Sequence, residues 1–294
     1  RVAHELPKTR RLAIKKALAE HESEERQEWD RTSDWGEIRF LRKRIKPGEM
    51  RTINMPLLDV DMGDSWPIPV TILHGIRPGP VVTIIGGTHG DELTGPSACT
   101  NLLSSIFTGV DGALNPKSMA GTIRIVPVLN LPGYRTMSRY FPDGRDLNRA
   151  FPGHSKGHTT SRVACKVKKN LINDSDVIID LHSAAAGRSN MPQIRGDLSH
   201  PESNFLAKAF GIEVVLDSRP PKGSLRRVAN EMGIGTVTYE GGGANWLDQA
   251  AVKVAVHGCL NVLRSLKVIP KNPSRPRFRL NAGGSTWLRA GEGG

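Results

Sequence analysis

Cysteine is scarce in this sequence. Its 294 residues include three cysteines, Cys99, Cys165 and Cys259, which show no paired spacing. An odd and sparse set argues against a disulfide framework, and it contains no CxxC pair for a structural zinc. The pattern predicts a cytoplasmic protein in a reducing environment.

Long apolar runs and aromatic residues are also few. No stretch of about 18 or more apolar residues occurs, so no membrane-spanning helix is expected. The first twenty residues lack the unbroken apolar core of a secretory signal. The net charge is +12, but aromatic residues make up 5% and none is interleaved with a basic stretch as base stacking would require. We therefore expect neither a membrane nor a nucleic-acid partner, whereas a small acidic substrate is compatible with this charge.

The sequence divides into three parts. Residues 1–35 are predicted to form a helical arm, which is either solvated or an oligomer contact, so a homo-oligomer stays open. Residues 36–268 form the main domain, which begins with short antiparallel strands before residue 76. Residues 269–294 are rich in Pro and Arg and contain two candidate strands, at 277–280 and 285–288. They are predicted to start a C-terminal β unit that is incomplete.

Strands and helices alternate through the main domain, which predicts an α/β fold with a mainly parallel mixed sheet flanked by helices. The strands are continuous Val/Ile runs, as expected for strands buried on both faces. Ligands of such sheets bind beyond the carboxyl ends of the strands. The predicted strands cover residues 81–85, 122–129, 177–181, 213–216 and 236–239. The predicted helices cover residues 92–107, 162–173, 201–210, 224–232 and 246–266, and a long loop covers 130–161.

The string GGTHGDE at residues 86–92 follows the first of these buried strands. His89 and Glu92 are three residues apart, about one helical turn, so both side chains can face one point. That point suits a metal ion. The alternative is a turn that enters a helix, with Glu92 favoured near the positive helix N-terminus.

His182 and Glu240 end two further apolar runs. Two histidines and a carboxylate make an open zinc site, and a further glutamate can act as its base. Asp180, two residues before His182, would then orient the histidine. The alternatives are a buried histidine satisfied by the backbone and a carboxylate that caps the next helix.

The long loop contains Arg139 and the string RDLNR at residues 145–149. Asn148 and Arg149 suit recognition of a carboxylate, because a guanidinium binds it in bidentate fashion. An ordinary surface cluster of salt bridges is the alternative.

Four ordered motifs, GGTHGDE, RYFPDGRDLNRAFPG, IIDLHS and TYEGGG, resemble the succinylglutamate desuccinylase/aspartoacylase family of the zinc carboxypeptidase superfamily. The resemblance covers roughly residues 36–268 and implies a zinc carboxypeptidase-like fold. It implies one Zn²⁺ held by His89, Glu92 and His182, with Glu240 as general acid/base. Arg139 resembles the arginine that polarises the scissile carbonyl. The substrate-binding residues that it implies are Asn148, Arg149 and Arg226, although the neighbouring Arg227 leaves the register of Arg226 open.

The function implied is that of an amidohydrolase that removes the N-acyl group from a small-molecule N-acyl amino acid or a related amine. A zinc carboxypeptidase acting on peptides and a metal-binding homologue without turnover are the alternatives. Cobalt or manganese can occupy the same ligands. Members of the family carry a small C-terminal β domain, which the sequence is expected only to begin.

Overall fold

A computed structural model describes residues 35–59, 65–108, 114–289 and 291. The helical arm predicted over residues 1–35 lies outside these residues apart from residue 35, and the proposed domain boundaries stay predictions. Among the described residues, no helix combines the length and the apolar character needed to cross a membrane.

In the described part of the chain, nine strands form a central mixed sheet, and a separate antiparallel pair, β1 and β2, precedes it. The order in the large sheet is β11-β9-β8-β10-β7-β5-β6-β4-β3. The strands are β1 (Ile38–Phe40), β2 (Lys43–Ile45), β3 (Met50–Asp59), β4 (Ser65–His74), β5 (Arg77–Gly86), β6 (Ala120–Val126), β7 (Val177–His182), β8 (Ser189–Gly196), β9 (Val214–Asp217), β10 (Gly235–Gly243) and β11 (Leu280–Ala282).

Helices cover both faces of this sheet. They are α1 (Thr94–Thr108), α2 (Leu131–Arg135), α3 (Thr159–Val167), α4 (Pro201–Ala209), α5 (Leu225–Glu231) and α6 (Gln249–Ser265). Apolar residues of α1, α4 and α6 pack in one core, and those of α3 and α5 pack in a second core. Alternate residues of one strand serve the two cores, as Ile84 and Ile85 of β5 do.

The central strands β6, β5, β7 and β10 run parallel to one another. Every residue of β6 and β7 is buried, which explains their continuous Val/Ile runs. The antiparallel entry before residue 76 is present as the pairs β1–β2 and β3–β4. The predicted fold class, a mainly parallel mixed sheet flanked by helices, is confirmed.

Strand β8 is not among the predicted strands. It contains Pro192, which cannot donate a ladder hydrogen bond and argues against an interior strand. The structure accommodates the proline because the β10–β8 register shifts between Glu240 and Gly242. In addition, β9 pairs with β8 only from Ile194 onward, so the proline lies where one side of β8 is an edge.

The C-terminal residues differ from the prediction of two strands that begin a separate unit. Leu280–Ala282 is the strand here, and it pairs in parallel with β9 at the edge of the main sheet. Residues 285–288 form no strand. The physical reason is that the open edge of β9 has a row of backbone N–H and C=O groups without strand partners. Residues 280–282 pair with this edge.

The long loop after β6 also contains local structure. It holds α2 and a 3₁₀ turn at Leu147–Arg149, and α3 begins at Thr159. His158 caps α3, since its side chain accepts a hydrogen bond from the backbone N of Ser161. The loop is therefore an ordered connection, with Asn148 and Arg149 in the 3₁₀ turn.

The backbone of α1 passes close to the end of β7 at Gly95. A Cβ atom at Gly95 would lie 2.4 Å from the backbone oxygen of Leu181, whereas one at Gly283 would meet nothing within 4 Å. We expect Gly95→Ala to destabilise the protein by about 1–3 kcal/mol, because a backbone atom cannot rotate away. Gly283→Ala is the matched control and should change stability by less than about 0.5 kcal/mol. Urea unfolding midpoints measure both, and equal midpoints would show that the approach is not restrictive.

Candidate active site

Three neighbouring parallel strands bring the predicted site residues together. His89 follows β5, His182 is the last residue of β7, and Glu240 lies in β10 opposite His182 in register. Because β5, β7 and β10 are adjacent and parallel, their carboxyl ends meet at one edge of the sheet.

His89, Glu92 and His182 form a compact buried cluster. Nδ1 of His89 lies 2.7 Å from Oε1 of Glu92. Nδ1 of His182 lies 2.9 Å from Oε2 of Glu92 and 3.2 Å from Nδ1 of His89. One ligand atom from each residue lies within 4.8 Å of the others. Two imidazole nitrogens and one carboxylate that converge in this way are the donor set of an open zinc site.

Burial and charge act against each other in this cluster. Burial opposes ionisation of His182, but the carboxylates of Asp180 and Glu92 outweigh it and raise the pKa of His182 well above its usual value. Burial also opposes ionisation of Glu92, whereas His89 and His182 lower the pKa of its carboxyl group. The carboxylates around the histidines therefore favour positive charge at this point, as a metal ion would supply.

Further carboxylates contact the outer nitrogens of both histidines. Nε2 of His89 lies 3.0 Å from Oδ1 of Asp146. Nε2 of His182 lies 2.8 Å from Oδ2 of Asp180, although these two atoms lack hydrogen-bond geometry. Asp180 is itself fixed by Thr88, whose hydroxyl donates to Oδ1 at 2.9 Å. Such contacts orient an imidazole and leave its other nitrogen for a ligand.

Arg139 lies against this cluster. Its Nη1 donates to Oε1 of Glu92 at 3.1 Å, and its Nη2 donates to Oδ2 of Asp146 at 3.0 Å. Burial opposes its charge, but Asp146 and then Glu92 outweigh burial and raise the pKa of the guanidinium. Two carboxylates thus hold a permanent cation at the place where the histidines and Glu92 converge.

Asn148 and Arg149 are directed elsewhere. The backbone N of Leu225 donates to Oδ1 of Asn148 at 2.9 Å. The exposed Arg149 donates through Nη1 to the carbonyl oxygen of Asn148 at 2.7 Å. Their link to the cluster is Asp146, whose Oδ1 accepts from the backbone N of Asn148 at 2.8 Å. Their predicted grip on a substrate carboxylate stays a prediction.

The structure distinguishes Arg226 from Arg227. Arg226 is buried, and its two terminal nitrogens donate to the carbonyl oxygen and the hydroxyl of Ser218. Burial, followed by the nearby Arg195, lowers its pKa to about 10. Arg227 points outward and pairs with Glu231 one helical turn later. Arg226 is therefore the arginine of this pair that lies on the inner side of α5.

Glu240 is largely buried beside two side chains of β8. Nδ2 of Asn190 donates to its Oε2 at 2.8 Å, and Nη1 of Arg195 lies 3.4 Å from its Oε1. Burial raises the pKa of Glu240, and Arg195 opposes this shift. A carboxylate with a raised pKa is suited to accept a proton and release it again near neutral pH.

Several contacts of the site were not predicted from the sequence. Asn190 and Arg195 lie on the unpredicted strand β8, and Asp146 was noted in its motif without a role. The backbone N of Ser183, which donates to Oε2 of Glu92 at 3.0 Å, also had no role assigned. The one sequence signal for any of these contacts was that Asp146 lies two residues before Asn148, within a motif that was already a candidate for the site.

The chain is similar to several known proteins. A sequence model of the succinylglutamate desuccinylase/aspartoacylase catalytic domain matches residues 78–266. An N-alpha-acetyl-L-2,4-diaminobutyric acid deacetylase from Halomonas elongata is 38% identical over 117 residues, which are 40% of this chain. The chain thus spans about a third of that relative, since the match covers 32% of its length.

Two solved structures are similar over most of the chain. One is the product-bound ectoine utilization protein EutE (DoeB) from Ruegeria pomeroyi, with 26% identity and a TM-score of 0.68 over 79% of this chain and 71% of that one. The other is a succinylglutamate desuccinylase/aspartoacylase from Rhodobacter sphaeroides, with 26% identity and a TM-score of 0.67 over 77% and 68% of the two chains. With more than half of its residues matched by the family's catalytic domain, this chain belongs to the succinylglutamate desuccinylase/aspartoacylase family.

Proposed function

We propose that this protein is a zinc-dependent amidohydrolase that removes the N-acyl group from an N-acyl amino acid or a related amine. The observation that carries the proposal is the convergence of His89, Glu92 and His182 beside Glu240. Family membership supports it, as does the 38% identity over 117 residues to the deacetylase from Halomonas elongata.

In this proposal His89, Glu92 and His182 hold the metal. When bound, zinc acts as a Lewis acid that makes water a nucleophile near neutral pH. Glu240 accepts the proton of the attacking water and delivers it to the leaving nitrogen. Burial raises the pKa of Glu240, and a raised pKa helps the carboxylate to hold the proton between these two steps.

The arginines bind and orient the substrate. Arg139, held between Glu92 and Asp146, faces the oxygen of the scissile carbonyl and stabilises the charge that develops there. Asn148 and Arg149 bind the substrate carboxylate, for which the exposed guanidinium of Arg149 must turn from the backbone of Asn148. Arg226 supplies a further buried cation on the side of Glu240.

A metal assay combined with a substrate panel tests this function. The panel contains N-acetyl and N-succinyl amino acids, N-alpha-acetyl-L-2,4-diaminobutyric acid and unmodified peptides. We expect about one zinc per chain and release of free amine from at least one N-acyl amino acid. Trimming of peptides alone would indicate a carboxypeptidase, bound metal without any turnover would indicate a non-catalytic homologue, and absence of metal would reject both enzymes.

Arg226 and Arg227 offer a matched test of substrate binding. Arg226→Lys keeps the charge but loses the two-nitrogen fork, so we expect KM to rise roughly tenfold or more, as loss of a charge-assisted hydrogen bond implies. Arg227→Lys makes the same replacement on the outer side of α5, where Arg227 pairs with Glu231, and should leave KM unchanged. Steady-state kinetics with the best substrate of the panel, together with melting temperatures, compare the variants. Equal KM values would place Arg226 outside the binding site.

We also propose a cytoplasmic location. All three cysteines are free, and Cys99 and Cys259 are buried. Free thiols are usual in reducing compartments. Fractionation of the source cells with antibody detection tests this, and recovery of the protein outside the cytoplasm would reject it.

A further inference from the structure

The carboxylate of Glu240 is held by two side chains of a single neighbouring strand. Asn190 donates from Nδ2 to Oε2 at 2.8 Å, and Nη1 of Arg195 lies 3.4 Å from Oε1. Oε2 therefore accepts a hydrogen bond from a neutral amide, and Oε1 lies within ion-pair distance of a guanidinium. Such an arrangement fixes the rotation of a carboxylate more tightly than one contact does.

The pairing of β8 and β10 creates this arrangement. Gln193 pairs with Glu240, while Arg195 pairs with Thr238 and Asn190 pairs with Gly242, so Asn190 and Arg195 flank Glu240 along the sheet. The register shift between Glu240 and Gly242 is an irregularity of the kind that re-aims a side chain. Gly242, which pairs with Asn190, has a φ of 77°, which favours glycine, and a Cβ atom there would lie 3.0 Å from Cβ of Asp248.

Holding a glutamate in one orientation has an energetic reason. An unrestrained glutamate side chain samples several rotamers, and ordering it has an entropic cost. A general base must also lie within hydrogen-bond reach of the proton that it abstracts. A misplacement of about 1 Å can lower a rate by about 10²-fold. Contacts made before the substrate arrives remove this cost from the reaction itself.

We propose that Asn190 and Arg195 are positioning residues that hold Glu240 in one orientation for proton transfer. The proposal rests on the proposed function for its catalytic consequence and on the contacts of β8 for its structural one. Asn190 orients Oε2 without adding charge, whereas Arg195 fixes Oε1 and favours the ionised form of the carboxylate.

Kinetics of a double-mutant cycle test the catalytic consequence. We expect Asn190→Ala to lower kcat by about 10–100-fold, as small displacements of a reacting group do, while KM changes less than about threefold. In a Glu240→Gln background the same replacement should cost nothing further, because Asn190 acts through Glu240. Arg195→Lys, which keeps the charge, should retain more activity than Arg195→Met. A full additional loss in the Glu240→Gln background, or an effect on KM alone, would overturn the proposal.

Crystal structures of the metal-loaded wild type and Asn190→Ala decide the structural part without any turnover. We expect one conformer of Glu240 in the wild type and more than one in the variant. Met191→Ala is the control, since Met191 is the exposed neighbour of Asn190 and should leave Glu240 in place. An unchanged, single conformer in Asn190→Ala would reject positioning. If the wild type turned over no substrate, but Glu240 adopted more than one conformer in Asn190→Ala, the proposed function would be rejected and the positioning role would stand.

Discussion

Glu240→Gln is expected to lower kcat by about 10²–10⁴-fold, the contribution that general acid–base catalysis usually makes. Glutamine has nearly the same shape, and its one amide oxygen can still accept from Asn190, but it cannot accept the proton of the attacking water. Bound zinc should stay near the wild-type level, because Glu240 is not one of the three converging donors. Steady-state kinetics and metal analysis on the same preparation give both results.

Glu231→Gln is the matched control for Glu240→Gln. Glu231 ends α5 and pairs with Arg227 on the surface, so its replacement should leave kcat unchanged. If Glu240→Gln kept more than about a tenth of the wild-type kcat, a general base at this position would be excluded, since that loss is below the range for such catalysis. Loss of metal together with activity would show that Glu240 acts on the metal site itself.

His182→Gln is expected to abolish metal binding, with loss of activity as the consequence. Three protein donors hold a catalytic zinc, and the removal of one leaves two. The zinc content should fall from about one to below about 0.1 per chain. Activity on the best substrate of the panel should fall below detection, because Glu240 then has no activated water from which to accept a proton.

The same variant should lose its response to a chelator. A metal that binds the folded protein stabilises it by mass action, at about 2.7 kcal/mol when the free metal is 100-fold above its dissociation constant. We therefore expect a chelator to lower the melting temperature of the wild type and to leave that of His182→Gln unchanged. His154→Gln, at an exposed position, should behave as the wild type does. An equal chelator response in His182→Gln would show that His182 is not a ligand.

Much of the fold could be predicted because the central strands are buried on both faces. Such strands must be continuous apolar runs, and the runs around Ile84 and Ile179 are visible in the sequence without any knowledge of their neighbours. The positions of His89 and His182 follow from the same fact, because parallel strands end at one edge of the sheet. The pairing of His89 with Glu92 is local, since they lie three residues apart in the turn that precedes α1.

The sequence was less informative where a strand is short, polar or interrupted. Strand β8 has Pro192 and few apolar residues, and its place depends on a register shift in β10 that no local pattern indicates. The two strands predicted after residue 276 show the opposite error. Among the described residues of this segment one short strand forms, because the open edge of β9, and not the local residues, determines what pairs.

The sequence by itself indicated the fold class through the periodicity of its apolar runs. Four ordered motifs, through their resemblance to a known family, indicated the family and the candidate ligands His89, Glu92 and His182. Only the tertiary structure decided which side chains surround them. Asp146 contacts His89, from which it is 57 residues distant in sequence, and Asn190 contacts Glu240, from which it is 50 residues distant. The structure also shows that Arg226 faces inward whereas Arg227 does not. The reason is physical: contacts between distant segments depend on strand order and register, which the packing of the whole chain determines.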